Sequence, residues 1–77
     1  MMEGLKLQKI KDTFKKLADN AESYYPNNPY SLNDSCTISS GKDGIFKIHI
    51  SAYLDKEIQK TMFNLFDRAV EEVENER

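Results

Sequence analysis

The chain has 77 residues, of which 39% are hydrophobic and 31% charged, and its mean hydropathy is −0.68. This length excludes two-domain enzymes, large barrels and doubly wound nucleotide-binding folds, which need roughly 150 residues or more. We expect one small domain with a modest core, because a chain of this size buries only roughly 60% of the surface that it exposes when unfolded.

The composition also predicts the cellular compartment of the protein. A single cysteine, Cys36, permits no disulfide within the chain and no zinc site of the usual paired spacing. The N-terminal residues contain an early acid and no apolar run typical of a signal peptide. No stretch approaches the roughly 20 apolar residues of a membrane span. These features predict a cytoplasmic protein that has no membrane partner.

The first predicted element is an amphipathic helix over about residues 5–24. Its apolar residues recur at steps of three and four, which places them on one side of a helix. They are Leu7, Ile10, Phe14, Leu17, Ala18, Ala21 and Tyr24. Pro26 should end the helix, because it biases Tyr25 away from helical dihedral angles. Residues 25–35 are rich in turn formers and predict an ordered loop, beside which we expect Tyr24 to close the end of the core.

A β-hairpin is predicted over about residues 36–54. Apolar side chains alternate through both segments, and Gly41 and Gly44 supply the positive φ that a tight turn needs. On this register one face of the hairpin is apolar, with Cys36, Ile38, Phe46, Ile48, Ile50, Ala52 and Leu54. The opposite face carries Thr37, Ser39, Ile45, Lys47, His49, Ser51 and Tyr53.

A second helix is predicted over about residues 55–74. Asp55 is a suitable N-cap, since its carboxylate can accept hydrogen bonds from the free amides of the first turn. The apolar side of this helix spans an arc of about 160°. It consists of Ile58, Met62, Phe63, Leu65, Phe66, Ala69, Val70 and Val73.

The order helix, strand, strand, helix predicts a single α+β domain. Both helices would cover the apolar face of an antiparallel hairpin and leave its other face open. Two strands alone are marginal and leave two unpaired edges. We therefore expect a homodimer to complete the fold, through the strand edges or through the second helix.

No group of residues in the sequence predicts catalysis, a cofactor or a metal site. His49 has serines near it on the same face but no identifiable oxyanion donors. Alternation places Cys36 on the other face, where we expect a small buried hydrophobe. A single histidine and a single cysteine cannot build a specific transition-metal site. We therefore predict a protein that is not an enzyme.

The leading hypothesis is a protein-interaction module, an adaptor or inhibitor that acts by occupying a partner surface. Tyrosine suits such interfaces, because it offers a large contact area with few rotatable bonds. The expected partner-binding residues are Ile45, Lys47, His49 and Tyr53, used by packing or by strand addition at an edge. Small chains of this kind are common among phage and mobile-element regulators, which is an association by size only.

The distribution of charge supports two alternatives. Residues 6–16 carry five lysines and one aspartate, a net +4, whereas residues 55–77 carry a net −3. A nucleic-acid-binding accessory protein would use Lys6, Lys9 and Lys16. The lysines flank the apolar stripe on both sides, however, and the pI near 5.3 opposes this use. The acidic second helix, with Glu71 and Glu72, would instead mimic nucleic acid and block a basic protein.

Overall fold

The computed structural model describes the backbone of residues 2–75 and the side chains of residues 4–75. Its main elements are α1 (Met2–Ala21), β1 (Cys36–Ser40), β2 (Phe46–Ile50) and α2 (Lys56–Glu74). Two short 3₁₀ helices, Glu22–Tyr24 and Asn33–Ser35, flank the loop between α1 and β1. The predicted α+β architecture, helix-strand-strand-helix, is confirmed.

The core lies between the two helices and one face of the hairpin. α1 packs against α2 and β1, and α2 also packs against β2. The buried apolar side chains come from both helices, β1 and the connecting segments: Ile10, Phe14, Ala18, Ala21, Leu32, Ile38, Leu54, Ile58, Met62, Phe66, Ala69 and Val73. Because both helices cover the same face of the hairpin, its other face is open to solvent.

The two strands pair in antiparallel register, with Ile38 opposite Ile48 on the inner face. Thr37 lies opposite His49 on the outer face. The turn between the strands contains Gly44 in the left-handed conformation, with a φ of 79°. An L side chain rarely adopts this conformation, so the glycine is needed there. The predicted assignment of side chains to the two faces is confirmed within the strands.

β2 ends at Ile50, before the predicted end of the hairpin. Alternation continues in the sequence to Leu54, but no strand lies opposite these residues, because the chain before β1 forms a 3₁₀ helix. The Ser51 amide still donates to the Ser35 carbonyl oxygen at 2.8 Å, and the chain then turns. Leu54 reaches the core through this turn and not as part of a strand. The prediction of strand structure over residues 51–54 is therefore wrong.

Tyr25, and not Tyr24, closes the end of the core after α1. The Tyr25 side chain packs against the core, and its hydroxyl lies 2.7 Å from the Thr61 hydroxyl of α2. Tyr24 is 78% exposed, so the expectation that it closes the core is wrong. Helical spacing no longer assigns the faces here, because α1 ends at Ala21 and the chain leaves the 3₁₀ turn at Tyr25 with a φ of −129° and a ψ of 64°.

α2 begins after Asp55, as predicted, but its first turn is stabilised differently. The Asp55 carboxylate makes no capping hydrogen bond. The Gln59 side-chain amide donates to the Leu54 carbonyl oxygen at 2.7 Å and ties the start of the helix to the preceding turn. The carboxylate of Asp55 is therefore left exposed beside the helix.

Replacing Tyr25 by Phe removes the hydroxyl that contacts Thr61 and keeps the ring. We expect the free energy of unfolding to fall by about 0.5–1.5 kcal/mol, the usual net contribution of one hydrogen bond. Urea denaturation followed by circular dichroism measures this change. Tyr24→Phe is the matched control and should change stability by less than about 0.5 kcal/mol, because that side chain is exposed. Equal losses in both variants would contradict the role of the Tyr25 hydroxyl.

Candidate functional site

His49 and Cys36 lie on opposite faces of the hairpin and do not approach each other. His49 is exposed on the outer face opposite Thr37, whereas Cys36 packs against the core from the inner face. Among residues 2–75, no cluster of three or more His, Cys, Asp and Glu side chains is placed to hold a metal ion. The geometry thus brings neither residue next to a partner for nucleophilic chemistry.

Burial makes Cys36 a weak nucleophile. The half-buried thiol donates to the Asn33 carbonyl oxygen at 3.6 Å. Burial, with a smaller contribution from the Asp34 carboxylate, raises the pKa of the Cys36 thiol from 9.0 to about 11. Because the thiolate is the reactive form, Cys36 at neutral pH is an unreactive side chain that fills space.

Two of the four predicted partner-binding residues, Lys47 and His49, share the outer face of β2. Ile45, in the turn before β2, is 56% exposed and lies beside Asp67 and Val70 of α2 in the lining of one groove. Tyr53 lies elsewhere, beyond the end of β2, where its ring contacts Tyr30. The prediction that Tyr53 lies on the open sheet face is therefore wrong.

The lysines of α1 lie on two sides of the helix. By helical spacing, Lys6, Lys9 and Lys16 share one side, and both Lys9 and Lys16 are exposed. Lys15 lies on the other side, where its ammonium donates to the Asp19 carboxylate at 2.9 Å. This hydrogen bond raises the pKa of Lys15. The basic charge of α1 is thus divided, as the sequence predicted.

α2 carries a line of solvent-accessible side chains on the helix that the sequence predicted as one of two dimer contacts. They recur at steps of four and three and therefore lie in line on one side of the helix. We call this line the α2 stripe: Lys56, Lys60, Phe63, Asp67, Val70 and Glu74. Phe63, in the middle, is 48% exposed. The sequence indicates this surface through the apolar arc of the second helix, which at about 160° is wider than one packing contact covers.

The predicted acidic residues of α2 lie outside this stripe. Glu71 and Glu72 are both exposed, and neither side-chain carboxylate forms a hydrogen bond or an ion pair within the described part of the chain. They are adjacent in sequence and therefore lie about 100° apart around α2.

Each strand has one unpaired edge, because the sheet contains only β1 and β2 among the described residues. The Gly41 amide donates to the Ile45 carbonyl oxygen across the hairpin at 2.9 Å. Hydrogen-bonded pairs alternate along an antiparallel ladder, so the backbone groups of Phe46, Ile48 and Ile50 point out of the β2 edge.

The grooves beside the two edges differ in chemistry. A groove of about 330 Å³ lies between α1 and β1, and Lys11, Asp12 and Lys15 contribute to its lining. A groove of about 300 Å³ lies between α2 and β2, and its lining combines Phe46 and Val70 with the acidic residues Asp67 and Glu74. The β1 groove therefore carries charges of both signs, whereas the β2 groove is apolar and acidic.

The loop after α1 and the turn after β2 together form a third groove, of about 380 Å³. We call it the tyrosine groove, because its lining includes Tyr24, Tyr25, Pro26, Pro29, Tyr30, Tyr53 and Asp55. The rings of Tyr30 and Tyr53 are tilted by 52°, with their centroids 4.4 Å apart. Sequence reasoning missed this groove, because Tyr53 was assigned to a strand and its contact with Tyr30 is tertiary.

Comparison with known proteins adds no functional assignment. The chain matches no protein-family model, no curated protein and no solved structure. Within residues 2–75, neither helix has the length and apolar character needed to cross a membrane. Functional assignment therefore rests on the surfaces of the chain itself.

The raised pKa predicts slow alkylation of Cys36. At pH 8, a shift of the pKa from 9.0 to about 11 lowers the thiolate fraction about 100-fold. A more basic thiolate is intrinsically more reactive, which offsets part of this loss. Iodoacetamide should therefore react at least about tenfold more slowly with the folded protein than with the protein in urea, as measured by mass spectrometry. The rate for the folded protein should rise as the pH approaches 11.

The same shift predicts that the free energy of unfolding falls at high pH. The folded state favours the neutral thiol, so this contribution to stability is fully present below pH 9 and is lost as the pH rises from 9.0 to about 11.

Asp34→Asn is the electrostatic control for the alkylation experiment and should speed alkylation of the folded protein, because it removes the smaller cause of the shift. Equal alkylation rates for folded and unfolded protein would contradict the burial of the thiol.

Proposed function

We propose that this chain is a non-enzymatic protein-interaction module, an adaptor or inhibitor that occupies the surface of a partner in the cytoplasm, and that it works as a homodimer. The observation that carries the proposal is the α2 stripe, in which Phe63 is 48% exposed between charges of opposite sign. An exposed aromatic side chain beside other apolar groups is typical of a protein interface.

The α2 stripe is self-complementary. Lys56 and Lys60 lie in its N-terminal half, Asp67 and Glu74 lie in its C-terminal half, and Phe63 lies between them. When a second copy of α2 lies antiparallel across a two-fold axis, the basic half of each helix meets the acidic half of the other. A parallel arrangement would bring like charges together, so the charges favour the antiparallel dimer.

The helices are spaced further apart than the strands, and this difference favours dimer contact through α2 over pairing of the strand edges. Packed helices lie roughly 8–10 Å apart, whereas paired strands lie roughly 4.8 Å apart. The two helices must therefore extend beyond the two strands that they cover. A second copy with its helices on the same face would meet α2 before the two β2 strands reached hydrogen-bonding distance.

Such a dimer leaves the outer face of each hairpin open to a partner. Lys47 and His49 project from this face. We assign these two residues to partner binding. Ile45 lies beside the α2 stripe in the groove between β2 and α2, and Tyr53 belongs to the tyrosine groove. The partner would pack on these side chains or add a strand at the free edge of β1.

Nucleic-acid binding through Lys6, Lys9 and Lys16 is the alternative proposal. The exposure of Lys9 and Lys16 on one side of α1 supports it, and it predicts binding that weakens steeply with salt. Mimicry of nucleic acid by Glu71 and Glu72 is supported by the exposure of both carboxylates. It predicts binding to basic proteins that is lost when both charges are reversed.

Phe63→Asp tests the dimer. A buried carboxylate at the centre of the contact would be strongly unfavourable, so we expect this variant to be a monomer at concentrations at which the unaltered chain is a dimer. Sedimentation equilibrium across concentration measures the mass. Leu5→Asp is the matched control and should remain dimeric, because Leu5 is 63% exposed on α1, away from the stripe.

A charge exchange tests whether the charged ends of the α2 stripe form the contact. We expect a chain with Lys56→Glu and Lys60→Glu, and a second chain with Asp67→Lys and Glu74→Lys, each to dimerise weakly alone. An equimolar mixture should form a heterodimer at low salt, because opposite charges then face each other again. A monomeric unaltered chain at about millimolar concentration, or a dimer that survives Phe63→Asp, would show the proposed dimer to be wrong.

A further inference from the structure

We propose that the tyrosine groove binds a proline-rich peptide in the polyproline II conformation that carries an arginine or lysine next to its prolines. The groove lies apart from the α2 stripe and from the outer face of the hairpin. The proposal is therefore independent of the proposed dimer and of Ile45, Lys47 and His49.

The groove concentrates exposed aromatic surface. Tyr24 is 78% exposed, Tyr53 is 56% exposed and Tyr30 is 45% exposed, and all three contribute to the same lining. Pro26 and Pro29 add further apolar surface to this lining. Grooves lined by aromatic side chains are the surfaces on which the rings of proline-rich segments dock.

Hydrogen bonds within the protein hold the walls of the groove in place. The Tyr53 hydroxyl donates to Ser35 Oγ at 3.1 Å, and the Tyr25 hydroxyl lies 2.7 Å from Thr61 Oγ1. The Asn28 side-chain amide donates to the Tyr30 carbonyl oxygen at 2.9 Å. Binding would therefore order few additional side chains. A polyproline II ligand is already extended before it binds, so binding orders few of its groups as well.

Two hydroxyl groups remain available to a ligand backbone. Within residues 4–75, the hydroxyls of Tyr24 and Tyr30 have no hydrogen-bond partner. A polyproline II segment has no internal hydrogen bonds, so its carbonyl oxygens need donors from outside. The groove thus combines apolar walls for proline rings with donors for the carbonyl groups between them.

The charge of the groove specifies a basic residue in the ligand. Asp55 is the one charged residue among the described residues that line the groove. Its carboxylate makes no capping hydrogen bond and no ion pair within the described chain. An arginine or lysine beside the prolines would supply the charge-assisted hydrogen bond that this carboxylate lacks.

The ring geometry argues against an aromatic cage for a methylated ammonium group. Such a cation is held by ring faces on opposite sides, with each centroid within roughly 6 Å of the cation. The centroids of Tyr30 and Tyr53 are only 4.4 Å apart, so no such group fits between them. These two rings form one wall of an open groove, which suits a flat proline ring.

Fluorescence anisotropy with a labelled peptide of six prolines followed by one arginine tests the proposal. We expect saturable binding with a dissociation constant below about 1 mM. A peptide with alanines in place of the prolines should bind at least about fivefold more weakly, because it is not extended before binding. Tyr24→Ala should weaken binding of the proline peptide at least about fivefold. Leu5→Ala is the matched control, which truncates another exposed side chain and should leave binding unchanged.

A second arm tests the charge. Asp55→Asn should weaken binding of the arginine peptide at least about threefold, and it should have no effect on a peptide that ends in glutamine. Circular dichroism checks that each variant is folded. No saturable binding below about 1 mM, equal binding of the alanine peptide, or unchanged binding by Tyr24→Ala would overturn the proposal.

Discussion

Two helices are wider than the two strands that they cover, and this mismatch shapes the surfaces of the protein. Packed helices require roughly twice the lateral spacing of paired strands. With α1 over β1 and α2 over β2, each helix must overhang an unpaired strand edge. The overhang produces a groove along each edge and hinders edge-to-edge pairing with a second copy of the same fold.

The same geometry carries different chemistry on the two sides of the molecule. On the α1 side, charged side chains such as Lys11 and Asp12 line the groove, so water solvates it well. On the α2 side, Phe63 and Val70 remain accessible because the apolar arc of α2 is wider than its contact with α1 and the hairpin. The α1 side therefore needs no partner to cover it, whereas the α2 side leaves apolar surface for a second protein.

Periodicity in the sequence was sufficient for the elements and their faces, because helices and strands repeat locally. It failed where a regular element ends or a pairing partner is missing. Tyr24 lies beyond the end of α1 at Ala21, and Tyr25 packs against the core in its place. Residues 51–54 kept the alternation of a strand without a strand to pair with.

Local sequence patterns were sufficient to predict some of the candidate sites, whereas others depend on tertiary contacts. The grouping of Lys47 with His49 on one face follows from alternation alone and was predictable. Phe63 was identifiable in principle from the width of its arc. The tyrosine groove was not, because it depends on a turn after β2 that brings Tyr53 onto Tyr30, and no local pattern specifies that contact.

The packing of α1 on α2 also constrains how the chain acquires its structure during synthesis. α1 leaves the ribosome first, but much of the surface that buries its apolar side belongs to α2, which is made after the hairpin. A two-stranded hairpin is too small a partner to hold α1 in place by itself. The nascent chain must therefore keep the apolar side chains of α1 accessible until α2 emerges.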